Sequence, residues 1–520
     1  MLEGTVGDLL RRAAAAVPDR LALVDGTPEA DRRREWTYAD LAGGAEQVVR
    51  ALLGRFEPGE RVAVWAPNCP EWVLLQHGAS LAGLVLVTVN PAYKGDELEF
   101  VLRQSRSSGV FFADEYRGFD MAAAVKQVSG DAPELREAVS LGEWDAFTGS
   151  AGAEVALPEV APGDPVQIQY TSGTTGFPKG ALLHHRGVVN ASRFVARRAG
   201  VEAGCVWVNA MPMFHIGGCG VTGLGTMAQA GTFVLLPGFD AGLVLELIEA
   251  YRGTITLAVP TMLLALLEHP DRARRDTSTL RSVLSGAASV PAELVRRTRE
   301  AFGCGVSILF GQTELHGVVT QTHLDDSPED QSQTIGRALP HMELRIADPA
   351  SGATLAPGAQ GEICARGYQA MVGYFDLPDE TRAAVGDDGW VHTGDLGTMD
   401  ERGYLNITGR LKDMIIRGGE NIYPREIEDV LFSHPGVADI AVVGVPDERW
   451  GEQVAAVIRP VEATGAPSTA ELAAYCRERL AHYKTPRAWF FVDAFPLTPS
   501  GKVQKFVLRR RITDGEVAPA

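Results

Sequence analysis

The feature that most constrains how this chain can fold is an alternation of short, mainly apolar runs with amphipathic stretches. RVAVWAP, beginning at Arg61, leads into an amphipathic segment ending near Ala82, and LVLVTVN follows. A continuous apolar run of this length suits a strand covered on both faces, and two such runs joined by a helix read as a parallel βαβ unit. The theme returns at VQIQYT before Ser172, FVLLP near Leu235, SVLSG before Ala287 and VSILFG before Gln312, with helical patterning between them. The expectation is a large α/β body.

Between residues 341 and 365 the texture changes to short strands, MELRIAD and GEICARG, joined by a Pro/Gly-rich turn, which suggests a small antiparallel or barrel-like portion. It changes again after GYLNITGRLKD. Pro424 opens a short helix with Glu426 in its first turn and Ile427, Val430 and Leu431 on one face. The strands VADIAVVGV and EQVAAVIRP, a helix near residues 470–480 and the strand AWFFVDAF complete a second unit of α+β character. A chain of 520 residues exceeds one ordinary core. The expected division is residues 1–409, a hinge at 410–413, and residues 414–520.

Composition narrows the classes of function. Lysine and arginine total 48 against 66 acids, a net charge of −18 at pH 7. That disfavours non-specific attachment to nucleic acid or to an anionic membrane, so any phosphate site must be local. The N-terminus, MLEGTVGDLLRRAAAAVPDR, sets Glu3, Asp8 and arginines around a short apolar stretch, unlike the basic-then-apolar order of a secretory signal. No apolar run is long enough to span a bilayer. Cys69, Cys205, Cys219, Cys304, Cys364 and Cys476 form no CxxC pair and stand near no histidine ladder, which points away from a zinc site or a disulfide framework. A cytoplasmic protein with no integral-membrane and no nucleic-acid partner is expected.

The densest chemical signal is YTSGTTGFPKG, residues 170–180, directly after an apolar strand. Its glycines let backbone N–H groups turn toward an anion, its hydroxyls add donors, and Lys179 supplies positive charge. Pro178 before Lys179 and Gly180 after it break the GxxxxGK[ST] spacing, so a different phosphate-binding architecture is required. A second string, GCGVTG at residues 218–223, satisfies GxGxxG with Asp240 downstream. That acid lies in a Gly-Phe-Asp turn just beyond its strand, so the dinucleotide reading is set aside for glycines that make room for a substrate.

YTSGTTGFPKG closely resembles the signature of the adenylate-forming superfamily, which includes acyl-CoA synthetases, amino-acid adenylation domains and beetle luciferases. Further motifs of that family follow in order from about Trp36 to Lys505. The resemblance implies an α/β fold: a large N-terminal domain of parallel-sheet αβαβα subdomains plus a small β-barrel, then a smaller, mobile α+β C-terminal domain. It implies ATP/AMP binding by Thr171, Ser172, Gly173, Thr174, Thr175, Gly176 and Lys179. In SGAAS, the backbone at Gly286, Ala287 and Ala288 would lie along the adenine and the acyl chain.

In FGQTE, Phe310, Gly311 and Gln312 would border the nucleotide, with Phe310 flanking adenine, and Thr313 would contact the α-phosphate. Phe310 stands where tyrosine is common, so stacking survives and the hydroxyl is lost. Glu314, with Thr174, would hold magnesium, a hard cation suited to carboxylate oxygen. Asp395 of TGD would accept hydrogen bonds from both ribose hydroxyls, and Arg410 would reach ribose and phosphate.

MPMFHIGG, residues 211–218, resembles the segment that walls the acyl pocket, with Phe214 and a catalytic His215 at its mouth. Gly218, Ala287, His316 and Gly317 would complete that pocket, and His316 suggests a polar substituent on the acid. Lys412 occupies the hinge position, and Gly418, Gly419 and Glu420 would line the coenzyme A channel. Lys502 of PLTPSGKVQK would reach the carboxylate and the α-phosphate during adenylation.

The implied activity is that of a carboxylate–CoA ligase acting on a medium-chain fatty or aromatic acid with ATP, Mg2+ and coenzyme A; a homodimer is the expected assembly. Against an amino-acid adenylation domain, His215 stands where that family carries an aspartate for the α-ammonium group. A luciferase-like oxygenase stays open, as does an enzyme of specialised metabolism that activates an unusual acid (an aryl acid, amino acid or inorganic oxyanion) and uses an acceptor other than CoA. A non-catalytic nucleotide sensor would lack Lys502 or Glu314, and both are present.

Overall fold

The computed structural model describes the chain except residues 151–154, 172–177, 289, 419, 448, 462–464 and 498–502, and the side chain of Asn421. Two mostly parallel sheets make the body. In the first, β1 (Arg61–Trp65), β2 (Val85–Val89), β3 (Gly109–Phe112) and β4 (Pro165–Thr171) run parallel in the spatial order β3-β1-β2-β4. Strand β5 (Lys179–His184) returns antiparallel to β4, and Gly373–Tyr374 adds to its outer edge. In the second, β6 (Val206–Asn209), β7 (Thr232–Leu235), β8 (Ile255–Leu257), β9 (Ser282–Gly286) and β10 (Gly305–Phe310) are parallel in the order β10-β9-β8-β6-β7. The α/β class read from the apolar runs is therefore the class observed.

The helix Pro70–Leu81 departs from its expected amphipathic character, because every residue in it except Glu71 is buried. It is enclosed by the helices Val6–Ala16 and Tyr38–Leu53, where Gly7 and Gly78 allow backbones and side chains to meet: a Cβ on Gly7 would lie 2.3 Å from Leu81, and one on Gly78 2.4 Å from Val48. The GxGxxG string also behaves differently from either reading. Gly217–Leu224 is a fully buried π-type helix. A Cβ on Gly218 would fall 2.2 Å from the Pro212 carbonyl oxygen, and one on Gly220 2.7 Å from Ile216 Cδ1. These glycines admit the chain's own backbone and side chains, and the space a Cβ would take at Gly218 is filled by the backbone at Pro212.

The segment expected to be antiparallel is a sheet of Met342–Ala347, Gly361–Gly367, Val391–Met399 and Leu405–Arg410, antiparallel in that order. A single 3-10 turn, Leu411–Asp413, leads to a further sheet containing Ile415–Arg417, Glu420–Ile422, Val437–Asp447, Gly451–Pro460 and Ala488–Phe491. The helix Pro424–Phe432 buries Ile427 and Leu431 there, with Val430 half-buried. Among the described residues, no helix is long and apolar enough to cross a membrane.

Candidate functional site

Parallel strands place their C-terminal ends on one edge of a sheet, where the following segments form a crevice for ligands. The segments that leave β6, β9 and β10 on that edge are residues 210–218, 287–288 and 311–317. Gly286 pairs in register with Leu309, and a Cβ there would lie 2.3 Å from the Leu309 carbonyl oxygen. Ala287 takes the left-handed conformation at φ +65°, a strain of about 1–2 kcal/mol for a residue with a Cβ. Ala287 and Ala288 are exposed, while Phe310 is buried at the end of its strand.

After Phe310 the chain closes on itself. The N–H groups of Leu315 and Gly317 both donate to the Gln312 carbonyl, each at 3.0 Å, and a Cβ on Gly311 would sit 1.9 Å from the Gly317 carbonyl oxygen. Only glycine fits there. The closure buries Thr313 and leaves Glu314 half-buried. Residues 369–371 grip the same loop from outside. Gln369 Nε2 donates to the carbonyls of Leu315 and Val318 at 3.2 and 2.5 Å, and the Met371 N–H donates to the Glu314 carbonyl at 3.0 Å.

His316 completes this brace. Its Nδ1 donates to the Gln369 carbonyl at 2.7 Å, and its Nε2 accepts the His184 N–H at 3.0 Å. Burial, with His184 beside it, pushes its pKa down to about 3. Both ring nitrogens are committed to main chain and the ring packs on Gly187, so no polar atom remains for a substituent on the acid. The suggestion that His316 reads such a substituent is corrected accordingly.

Thr171 and Lys179 face each other as register partners of β4 and β5. Ser172, Gly173, Thr174, Thr175 and Gly176 between them lie outside the described residues. Lys179 Nζ stands 5.2 Å from the centroid of the Tyr374 ring, and Tyr374 Oη donates to Glu314 Oε1 at 2.7 Å. Burial and then the Glu314 carboxylate raise the Tyr374 pKa, so the hydroxyl remains a donor. Among the described residues Glu314 Oε2 accepts no hydrogen bond, while the charges of Arg410 and Lys412 act on the carboxylate. A half-buried carboxylate with one oxygen held and the other available fits a hard divalent cation such as magnesium.

Asp395 and Arg410 are register partners across two strands of the small sheet, and Arg410 Nε donates to Asp395 Oδ1 at 2.7 Å. Asp395 is only 4% exposed. Although burial opposes its charge, Arg410 is kept firmly protonated by Asp395. The turn before Asp395 is fixed by Glu362, whose Oε1 accepts the Gly394 N–H at 3.0 Å and whose Oε2 accepts from His392 Nδ1 at 2.8 Å.

On the acyl side, Phe214 and His215 are half-buried, and His215 Nδ1 accepts the Gly217 N–H at 3.0 Å. Asn68 holds this segment through the Met211 carbonyl and the Met213 N–H. A Cβ on Gly317 would lie 3.1 Å from Ile216 Cγ1, so the 211–218 and 311–317 segments are in contact. Gly418 and Glu420 belong instead to a hairpin of the C-terminal sheet. There the Gly418 N–H donates to the Trp450 carbonyl at 2.8 Å, and φ of +60° suits its glycine. Lys412 is exposed in the 3-10 turn, and Gly419 and Lys502 lie outside the described residues.

Sequence reasoning missed Tyr374, Gln369, Glu362 and His392. The available signals were a charged residue inside the apolar strand GEICARG and the GYF string at residues 373–375.

The chain matches known proteins along nearly its whole length. The model of the AMP-binding enzyme family matches residues 10–375, and that of the AMP-binding enzyme C-terminal domain matches residues 426–502. The chain is 38% identical over 543 residues to YngI of Bacillus subtilis (strain 168), covering 98% of this chain and 97% of that one. It is 35% identical over 544 residues to the mitochondrial medium-chain acyl-CoA ligase of Homo sapiens, covering 98% and 87%. The crystal structure of ATP-bound MatB from Rhodopseudomonas palustris superposes with a TM-score of 0.88 at 31% identity, covering 98% and 99%. The fold and these matches therefore define an adenylate-forming enzyme, and the chain belongs to the AMP-binding enzyme family. Within it, the protein is an AMP-forming ligase of the acyl-CoA synthetase group.

Proposed function

We propose that this enzyme activates a medium-chain fatty or aromatic carboxylic acid with ATP, releasing pyrophosphate, and passes the acyl group to coenzyme A, releasing AMP. The observation that carries the reading is the meeting of Lys179 and Glu314 at Tyr374: a cation at the end of the Gly/Thr-rich segment and a carboxylate with an available oxygen share one neighbour. The medium-chain specificity in the human relative's name supports the acid class.

A carboxylate resists a thiol because its leaving group is poor, so it must first become a mixed anhydride. The acid's oxygen attacks the α-phosphorus and the bond to pyrophosphate breaks; the protein contributes position and charge neutralisation. In this reading Lys179 and Thr313 donate to phosphate oxygens, and Lys502 bridges the acid and the α-phosphate. Asp395, oriented by Arg410, accepts from the ribose hydroxyls. Glu314 and Thr174 would hold Mg2+, which supplies neutralisation of the triphosphate when bound. His215 and Phe214 orient the acid at the pocket mouth.

In the second step the CoA thiolate attacks the acyl carbonyl and AMP leaves. Residues 414–520 would turn about Lys412, withdrawing Lys502 and bringing Gly418, Gly419 and Glu420 to the pantetheine arm. The single 3-10 turn between two sheets, with Lys412 exposed in it, supports a hinge there. The test is a panel of acids assayed for pyrophosphate release without CoA, hydroxylamine trapping the adenylate, and for thioester with CoA. One best acid in both assays upholds the proposal; adenylation without thioester on any acid overturns the CoA step. Lys502→Ala should abolish adenylation yet spare thioester formation from supplied acyl-adenylate, and equal loss in both would refute the division of labour.

A further inference from the structure

We propose that Tyr374 is a positioning residue that fixes how Glu314 meets a divalent cation and couples that carboxylate to the strand carrying Lys179; this deepens the nucleotide-site reading above and rests on it. Glu314 follows β10 of the second sheet, whereas Tyr374 extends the first sheet in register with Ala181 of β5. The tyrosine therefore ties the two sheets together at the point where the Gly/Thr-rich segment ends. Its own place is firmly set. The Tyr374 N–H donates to Thr381 Oγ1 at 2.9 Å, and a Cβ on Gly373 would lie 2.8 Å from Thr381. Met371, three residues earlier, holds the Glu314 carbonyl at 3.0 Å.

Two consequences follow from the 2.7 Å bond between Tyr374 Oη and Glu314 Oε1. A glutamate on a short 3-10 turn loses rotamer freedom when it binds a cation, and the tyrosine removes that freedom beforehand. With Oε1 accepting from the tyrosine, the carboxylate is held in one orientation and Oε2 is the oxygen with no hydrogen bond of its own to give up to a cation. The same ring lies under Lys179 Nζ, so a tyrosine shift would move the phosphate-side cation and the carboxylate together.

The test uses the full chain with Mn2+ as a spectroscopic probe, its free signal followed by electron paramagnetic resonance in the presence of ATP. Alongside it, pyrophosphate exchange is titrated with Mg2+. Tyr374→Phe keeps the ring beneath Lys179 and removes the donor. It should weaken Mn2+ binding and raise the half-saturating Mg2+ concentration about ten-fold, the loss expected for one hydrogen bond to a charged group. The rate at saturating Mg2+ should change far less. Glu314→Asp disturbs the same bond from the other side and the cation contact with it, since the shorter side chain cannot reach both partners, and it should weaken Mn2+ binding at least as much as Tyr374→Phe does.

The double variant should be no worse than the weaker single one, because both remove one interaction. If Tyr374→Phe binds Mn2+ as the wild type does while Glu314→Gln does not, or if the two effects add, the Tyr374 proposal is overturned. If Glu314→Gln also binds as the wild type does, it is the metal-holding role of Glu314 that fails.

Discussion

Replacing Gly311 with alanine tests whether the tight closure after β10 positions Thr313 and Glu314. The added Cβ would stand 1.9 Å from the Gly317 carbonyl oxygen and 2.7 Å from Val318 Cα. Both are main-chain atoms, so no side chain can swing aside. Real Cβ atoms essentially never approach closer than 3.0 Å, so one arm of the loop must move by at least about 1.1 Å. The hydrogen bonds from Leu315 and Gly317 to the Gln312 carbonyl transmit that movement to the two residues between them. A displacement of about 1 Å costs a positioned reaction on the order of 100-fold, or roughly 2.7 kcal/mol of transition-state stabilisation. Overpacking itself costs about 1–3 kcal/mol of stability, which a large α/β body tolerates. In ATP–pyrophosphate exchange, kcat/KM should therefore fall about 100-fold while far-ultraviolet circular dichroism is retained. A folded Gly311→Ala protein with exchange within about threefold of wild type would refute the positioning argument.

Three further outcomes follow from the same geometry. His316 is held near a pKa of about 3, below the ordinary value of about 6.5, so its contribution to stability is intact above that value and is lost as pH falls toward 3, by about 1.4 kcal/mol per unit. The stability difference between wild type and His316→Gln, from urea unfolding, should thus shrink by about 2 kcal/mol between pH 7.5 and pH 5, and a constant difference would show that His316 is not held neutral. Arg410→Lys loses the Nε donor 2.7 Å from Asp395; calorimetry with a non-hydrolysable ATP analogue should show about ten-fold weaker binding, and unchanged affinity would remove Arg410 from the ribose site. Gly43 is exposed inside the helix Tyr38–Leu53 with nothing within 4 Å of an added Cβ. Gly43→Ala should raise stability by about 0.5–1 kcal/mol, read as a higher urea midpoint, and a lower midpoint would contradict that local picture.

Much of the fold was legible from the chain because the signals are local. Four apolar residues and a lone threonine in β2 mark a strand buried on both faces whatever packs on it, and all five are buried. Pro424 opens its helix because a missing N–H costs nothing in the first turn. The order of motifs likewise suffices to place the chain in its family. What only the tertiary structure decided are contacts between segments remote in sequence, which no periodicity records. The burial of the helix Pro70–Leu81 depends on two other helices that enclose it. The packing at Gly218 depends on the path of the chain at Pro212. His316 braces its loop because β5 and residue 369 each reach one ring nitrogen, and Tyr374 meets Glu314 because a short edge strand of one sheet lies beside a loop of the other. Side-chain type and spacing select the elements; which groups face each other across a crevice is set by how the finished sheets pack, and that is a property of the assembled core.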